Sequence, residues 1–345
     1  MRYELVGLGN ALLDFQIQVP DSVLHDLKVT KASMTLVESA YQLQILSELH
    51  QRFGREKFDI CSGGSSANTV AGFVNYGGSG FYIGKVGRDE NGQDYEKDLL
   101  RQKIGFCVRN HEDMPTGTCL ALITPDAERT MLTHLGSAID LSVKDLPVET
   151  IQQAEIIYLE GYLWDSRTAQ EACREAAHMA RSKGVKVAMT FSDSFCVNRH
   201  KDDFLQMARS QVDILFCNAA EAQAATGKPD VFSAFKDLSR VCPIVAVSNG
   251  AHGALLSENF GEKTEAIETW DVNVVDKLGA GDLFASGVLF GLVRKRSLRE
   301  AGFLGCYSAT KVIQQMGARL RESMASEVNE VSQGPESALQ ASRSV

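Results

Sequence analysis

The run Asp276-Lys277-Leu278-Gly279-Ala280-Gly281-Asp282-Leu283-Phe284 holds the residues best suited to chemistry. It follows an apolar segment, 270–275, that reads as a strand, and it opens a helical pattern reaching about residue 293. Three small residues at a helix start, Gly279, Ala280 and Gly281, leave backbone N–H groups uncovered and pointing outward. The helix dipole adds partial positive charge there. Such a cradle suits the charge that develops on a transferring phosphoryl group. Asp282, in the first turn beside it, can accept the proton of an attacking hydroxyl. An acidic residue also favours any helix N-terminus, and glycines also serve close packing, so spacing alone admits a purely structural reading.

Other segments place polar groups at element ends. Ser62-Gly63-Gly64-Ser65-Ser66-Ala67-Asn68 precedes Val70, Ala71 and Val74, which recur at helical spacing. Ser65 or Ser66 can cap that helix. Gly63 and Gly64 let a ligand approach the backbone, and Asn68 offers both a donor and an acceptor. Without a ligand, the same residues are a glycine turn before a capped helix. Gly9-Asn10-Ala11-Leu12-Leu13-Asp14 ends the first apolar strand. A carboxylate there, Asp14, can accept two hydrogen bonds from a vicinal diol. A dinucleotide site fits poorly, because Gly7-Leu8-Gly9-Asn10-Ala11-Leu12 lacks the third glycine. Asn218 and Glu221 follow the apolar run 214–217, a spacing that also makes an ordinary helix cap. Ser248-Asn249-Gly250-Ala251-His252-Gly253 follows the next run and reads by itself as a glycine-rich turn.

In order along the chain, these motifs resemble those of the ribokinase-like (PfkB) kinases, nearest to bacterial adenosine kinase-like members, over residues 1 to about 320. The resemblance implies that Gly279, Ala280 and Gly281 form an anion hole and that Asp282 is the catalytic base. It implies that Gly63, Gly64 and Asn68 hold sugar hydroxyls. Asn10 and Asp14 lie in a segment similar to the ribose-binding segment of adenosine kinases, and Thr116-Gly117-Thr118-Cys119 and Leu135-Gly136 look like that subgroup too. Asn218 and Glu221 match an Asn-x-x-Glu motif, which implies that Glu221 meets Mg2+ through water. Ser248, Gly250 and Gly253 match a loop that wraps nucleotide phosphates, with serine in place of threonine. Gly84-Lys85-Val86-Gly87-Arg88-Asp89-Glu90-Asn91-Gly92 continues the match as scaffold. Arg129, in the turn Glu128-Arg129-Thr130, is placed either on a phosphate or on the surface. One departure stands out. Lys277 and Leu278 occupy positions where the family shows small polar residues, in a loop that helps hold a monovalent cation in many relatives. The Lys277 ammonium is expected to substitute for that cation. The alternatives are that Lys277 points to solvent, or that catalysis is impaired and only ligand binding remains.

Elements must hold these residues in place. Short apolar runs at 3–8, 81–86, 119–124, 156–159, 185–190, 214–217, 244–247 and 270–275 read as strands. Helical patterns at 69–76, 168–181, 231–241, 283–293 and 298–315 lie among them. This alternation argues for an α/β fold with a mostly parallel sheet between two helical layers. With the resemblance it implies a ribokinase-like three-layer α/β/α sandwich carrying a small β lid. The lid is assigned to segments of about 15–58, with a helix-like 38–49, and of about 106–137, with two short strands around Pro125-Asp126. The kinase domain is thus expected over 1–323, and the Ser-, Glu- and Gln-rich tail 324–345 is expected to be mobile.

Composition narrows the partners. The net charge of −9, from 35 basic and 44 acidic residues, leaves no basic stripe for nucleic acid. Arg294-Lys295-Arg296 is the tight basic cluster, and it reads as a helix end complementing the dipole. Eight single cysteines without CxxC or Cys/His spacing argue against structural zinc and for a reducing compartment, the cytoplasm. No signal peptide or membrane span is read. Trp164, Phe191 and Phe195 could stack on a base or pack in the core. Lid edge strands could pair two copies into a dimer. The expectation is an ATP- and Mg2+-dependent kinase for the 5′-hydroxyl of a nucleoside, adenosine first. A sugar kinase of the same family and a non-catalytic nucleoside or sugar sensor are the alternatives.

Overall fold

The computed structural model describes residues 2–126 and 128–335. Neighbouring residues of single strands enter opposite hydrophobic clusters: Leu5 and Val6, Tyr158 and Leu159, Phe216 and Cys217. A sheet of such strands is buried on both faces, and near-continuous apolar runs are what that position demands. Its nine strands lie in the order Lys263–Ile267, Ala254–Glu258, Ile244–Ser248, Ile214–Asn218, Lys186–Thr190, Ile156–Glu160, Leu5–Leu8, Gly80–Gly87 and Gly105–His111. Pairing is parallel from Ile244–Ser248 to Gly105–His111 and antiparallel for the two outermost strands at the other edge. Helices Arg167–Arg181, Ser194–Ser210, Ala219–Thr226 and Val231–Ser239 supply one layer. Helices Ser65–Asn75, Glu90–Arg101, Ala280–Val293 and Leu298–Val312 supply the other. This is the expected three-layer α/β fold with a mostly parallel sheet.

A second sheet has five strands in the order Met34–Leu36, Arg129–His134, Gly117–Ile123, Leu12–Gln18 and Asp59–Ser62. Its strands alternate between two faces. Ile17, Leu120, Leu122 and Leu132 pack with Ile45 and Leu49 of the helix Ser39–Phe53. Leu12, Asp14, Cys119, Met131 and Thr133 look the other way, into a cleft above the main sheet. Thr116 and Gly117 are fastened to the turn at Gly136. A Cβ on Gly117 would lie 2.4 Å from the Leu135 carbonyl oxygen, and one on Gly136 would lie 2.4 Å from that of Pro115. Asp89 ties the same corner together, capping Gly92 N–H at 2.9 Å and accepting Thr116 N–H at 2.8 Å, which agrees with a scaffold role for 84–92.

Several expectations need correction. Residues 105–111 join the main sheet beside Gly80–Gly87, so the second small-sheet segment begins near Gly117. Residues 270–275 form no strand. Val274 and Val275 are exposed, Trp270 stacks edge-on against Tyr307, and Val275 and Asp276 donate N–H bonds to Ile313. The sheet edge they would occupy is taken by the hairpin from Ala254 to Ile267, whose turn holds Asn259, Phe260 and Gly261 at positive φ. Residues 324–335 also belong to the packed body. Met324 and Val331 are buried, and a short helix covers Val328–Val331. Residues 336–345 lie outside the described residues. Of the basic cluster, Arg294 reaches back to Glu4, and Arg296 bonds Glu300 and Asn329. Among the described residues, no helix is long and apolar enough to cross a membrane.

Candidate active site

Parallel strands all end at the same edge, and the cleft lies along that edge. Asn10 follows the strand Leu5–Leu8, while Glu160, Thr190, Asn218 and Ser248 end the next four strands in line. Four strand spacings make the row about 19 Å long. The cleft holds about 280 Å³ and is roofed by the small sheet. One stretch of wall is apolar, built from Leu12, Met34, Leu36, Cys119, Met131 and Leu135.

Asp282 sits in the first turn of the helix Ala280–Val293. Ser65 Oγ donates to its Oδ1 at 2.6 Å, and Asn68 Nδ2 donates to its Oδ2 at 3.0 Å. Burial pushes its pKa above the ordinary value, and these two hydrogen bonds pull it back only in part. The helix begins at Gly279, whose φ of +73° only glycine adopts easily. A Cβ there would lie 2.8 Å from three atoms of Ala318. Gly281 differs, since a Cβ on it would meet nothing within 4 Å. Gly279, Ala280, Gly281 and Asp282 all line the cleft, which brings the helix start and the carboxylate together there.

Asp14, Gly63, Gly64 and Asn68 converge on the same end. The Asp14 carboxylate lies flush on Gly63, where a Cβ would come within 2.4 Å of all three carboxylate heavy atoms. Gly64, at φ +95°, would strike the Asn10 carbonyl oxygen at 2.2 Å if it bore a Cβ. Glu160, absent from the expectations, is the further carboxylate of this end. It is buried, accepts Ser66 N–H at 2.8 Å and Asn10 Nδ2 at 3.1 Å, and closes the run Ile156-Ile157-Tyr158-Leu159 at the strand terminus. That terminal position was its sequence signal.

Burial raises Asp14, Glu160 and Glu221 to about 7 each. A carboxyl that ionises near 7 when folded and near 4 when unfolded holds extra proton in the native state between those values. These groups therefore favour the fold at low pH, and their contribution is lost as pH rises through about 7. Asp14→Asn removes the charge that burial penalises. It is expected to raise the melting temperature by several degrees at pH 8 and by less than half as much at pH 5, where only the first part of the 4-to-7 window has been crossed. The shift in Asp14 bounds the gain at about 4 kcal/mol. Thermal unfolding of both proteins at both pH values checks this, and an equal effect at the two would count against it.

At the other end, Asn218 and Glu221 form a capping box. Glu221 N–H donates to Asn218 Oδ1 at 2.9 Å, and Asn218 N–H donates to Glu221 Oε2 at 3.1 Å. Both still line the cleft, beside Ser248. Gly250, at φ +56°, faces open space, and a Cβ on it would meet nothing within 4 Å. Gly253 is needed by the turn, because a Cβ there would fall 1.9 Å from the Ile267 carbonyl oxygen. Arg129 lies neither on the surface nor in the cleft wall. It is buried and forks onto Asp276, donating from Nε to Oδ1 at 2.5 Å and from Nη2 to Oδ2. Burial would raise Asp276, but Arg129 together with the N–H groups of Leu278 and Gly317 outweighs it and holds the carboxyl below its ordinary value. Next to this pair, Lys277 Nζ lies 2.5 Å from Glu128 Oε1. Two adjacent residues of the small-sheet turn thus clasp two adjacent residues of the loop before the cradle.

The aromatic candidates fall elsewhere. Trp164 and Phe191 pack on Phe204 in the core, and Phe195 is exposed. Phe216 and Phe284 line the cleft instead. Asp165, Cys196 and His200 bring ligand-type atoms within 4.8 Å of one another, but Arg199 already forks onto Asp165 at 2.7 and 3.0 Å.

Comparison with known proteins fits this geometry. The family model for pfkB family carbohydrate kinases matches residues 29–324. The chain is 36% identical to the adenosine kinase from Sinorhizobium meliloti, with a TM-score of 0.88 over 95% of this chain and 99% of that one. It is also 36% identical to a probable sugar kinase protein from Rhizobium etli CFN 42, with a TM-score of 0.88 over 95% and 98%. Adenosine kinase 2 from Arabidopsis thaliana is 25% identical, over 92% of this chain and 96% of that protein.

Proposed function

We propose, from the premise that this chain belongs to the pfkB family of carbohydrate kinases and is a phosphotransferase with an alcohol acceptor, that its acceptor is a nucleoside, adenosine first, phosphorylated on the 5′-hydroxyl by MgATP. The observation that carries the choice is a two-sided chamber. Glu160, Asn68 and Asp282 line it from the main-sheet side, and the small sheet above them carries Asp14 among Leu12, Met34, Leu36, Cys119, Met131 and Leu135. A ribose presents hydroxyls to the polar groups, and a flat base covers the apolar ones. A free sugar would leave the apolar wall uncovered. The names of the Sinorhizobium and Arabidopsis relatives agree with a nucleoside, whereas the Rhizobium relative supports a sugar.

In this reading Asp14 accepts hydrogen bonds from the ribose diol. Asp282, held by Ser65 and Asn68, takes the 5′-hydroxyl proton as its oxygen attacks the γ-phosphate. The N–H groups from Gly279 to Gly281 receive the charge that builds on the phosphoryl oxygens, so catalysis is mainly positioning and electrostatics. ATP lies toward Asn218 and Ser248, along the row of strand ends. The buried Glu221 carboxylate faces the same cleft, where it can meet the hydrated magnesium of MgATP through water.

ADP release with MgATP over adenosine, inosine, guanosine, ribose and fructose tests the assignment. Turnover highest on adenosine is expected. Turnover confined to a free sugar would replace the acceptor, and tight binding without turnover on any compound would favour a sensor. The same assay with and without potassium tests the cation reading. With Asp276 already held by Arg129 and Lys277 by Glu128, little potassium activation is expected. Strong activation would overturn it.

A further inference from the structure

Three consecutive residues after the last large helix touch the loop before the cradle, the cradle itself and the asparagine that holds Asp282. Gly317 N–H donates to Asp276 Oδ2 at 2.8 Å. Ala318 packs against Gly279, at the distance that forbids a Cβ there. Arg319 runs inward, its side chain 12% exposed. Its Nε donates to Asn68 Oδ1 at 3.1 Å, and its Nη1 donates to Ser62 Oγ at 2.5 Å and to Asp98 Oδ2 at 3.3 Å. Its Nη2 is buried without a hydrogen-bond partner.

We propose that Arg319 is a positioning residue for phosphoryl transfer, fixing Asn68 in the orientation that holds Asp282 and supplying the positive charge that keeps the base ready to accept a proton. The inference rests on the kinase reading above. An amide side chain can present either end to a carboxylate, but only its NH2 end attracts one. Arg319 donates, so it takes the Asn68 oxygen and leaves Nδ2 facing Asp282. Without Arg319 that choice is no longer imposed from behind.

Charge gives the second strand of the argument. Facing Asp282 are Ser65 and Asn68 from the helix Ser65–Asn75, Tyr158 and Glu160 from the strand Ile156–Glu160, Glu221 from the helix Ala219–Thr226, and Asp14 from the small sheet. Three of these are carboxyl groups, which oppose ionisation of Asp282 whenever they are themselves charged. Of the cations near the cleft, Arg129 is spent on Asp276 and Lys277 on Glu128, half exposed. Arg319 is the cation whose field lowers Asp282, while Asp14 is lowered first by Arg129 and then by Arg319.

The test compares Arg319→Gln, Arg319→Lys and the exposed neighbour Arg321→Gln in the full chain, with kcat and KM measured from pH 5 to 9. Arg319→Gln is expected to lower kcat by about 30- to 100-fold, with less than about threefold change in KM for ATP, as an interaction that acts on the transition state requires. Its acid limb should move up by about one pH unit, since a base without its cation holds its proton more tightly. Arg319→Lys should keep the limb in place and lose about tenfold in kcat, because an ammonium supplies charge without the fork. Arg321→Gln should match the parent protein. Unchanged kcat in Arg319→Gln, or a loss with no movement of the limb, overturns the proposal. If the parent protein turns over no acceptor, the kinase reading fails instead. A stability cycle with Asp282→Asn then decides the link: Arg319→Gln should cost less stability when Asp282 is neutral, and additive losses overturn it.

Discussion

Asp282→Asn is expected to reduce turnover by about 10²–10⁴, the range that a positioned general base supplies. The substitution changes little else. Asparagine keeps the size of the side chain, its oxygen can accept from Asn68, and its NH2 can donate to the Ser65 hydroxyl, which is able to accept as well as donate. What it loses is the capacity to take a proton. The fold should not suffer. Burial holds the Asp282 carboxyl above its ordinary pKa, so ionising it costs more in the folded than in the unfolded chain, and a neutral replacement is expected to hold or raise the melting temperature. Acceptor binding should survive as well, because Asp14, Gly63 and Asn68 are untouched. Rate measurement together with thermal unfolding and nucleoside titration checks all three. A variant that folds, binds and still turns over at the parent rate would remove Asp282 from the reaction.

The pH profile gives an independent view of the same group. The base must be ionised to act, so kcat falls as pH drops through its pKa in the complex. Because burial raises that pKa, the acid limb should lie above the range of an exposed aspartate. The neighbouring carboxyls Asp14 and Glu160, both near 7, titrate with it. The limb therefore belongs to the set, and only its displacement in a variant assigns a share to one residue.

The parallel half of the main sheet was legible because its strands are buried on both faces and so read as unbroken apolar runs. Asn10, Asn218 and Ser248 were singled out through the resemblance, and their common position at the ends of parallel strands brings them to one edge of the sheet. The small sheet was harder to read. Leu12–Gln18 carries Asp14 toward the cleft, and Asp59–Ser62 is polar at both ends, so neither shows an unbroken hydrophobic pattern. Residues 270–275 show the converse error. Their apolar content suited a strand, but the sheet edge was already closed by Lys263–Ile267, a pairing that no local pattern reveals. Arg129 and Arg319 mark the limit of such reading. Each is an ordinary arginine in sequence, and each acquires its meaning from a partner more than 140 residues away, Asp276 for one and Asn68 for the other.

The glycines of the cradle differ in what they are for, and Gly281→Ala should expose the difference. At Gly279 a positive φ and the contact with Ala318 make glycine a requirement of the fold, so Gly279→Ala is expected to lower stability whatever the ligand. Gly281 has neither restraint. It lies inside the first turn of the helix Ala280–Val293, and an added methyl would meet no protein atom. Alanine there should be neutral or stabilising by up to about 1 kcal/mol, from helix propensity and reduced freedom of the unfolded chain. The methyl would, however, stand in the cleft where the N–H groups must come within about 2.9 Å of a phosphoryl oxygen. Loss of one such donor contact costs about 10²–10³ in kcat. Gly281→Ala should therefore keep its melting temperature and lose its turnover, while Gly279→Ala loses both. A Gly281→Ala protein with parent-like turnover would mean that the transferring phosphate does not rest on this helix end, and the anion would have to be sought nearer to Ser248 and Gly250.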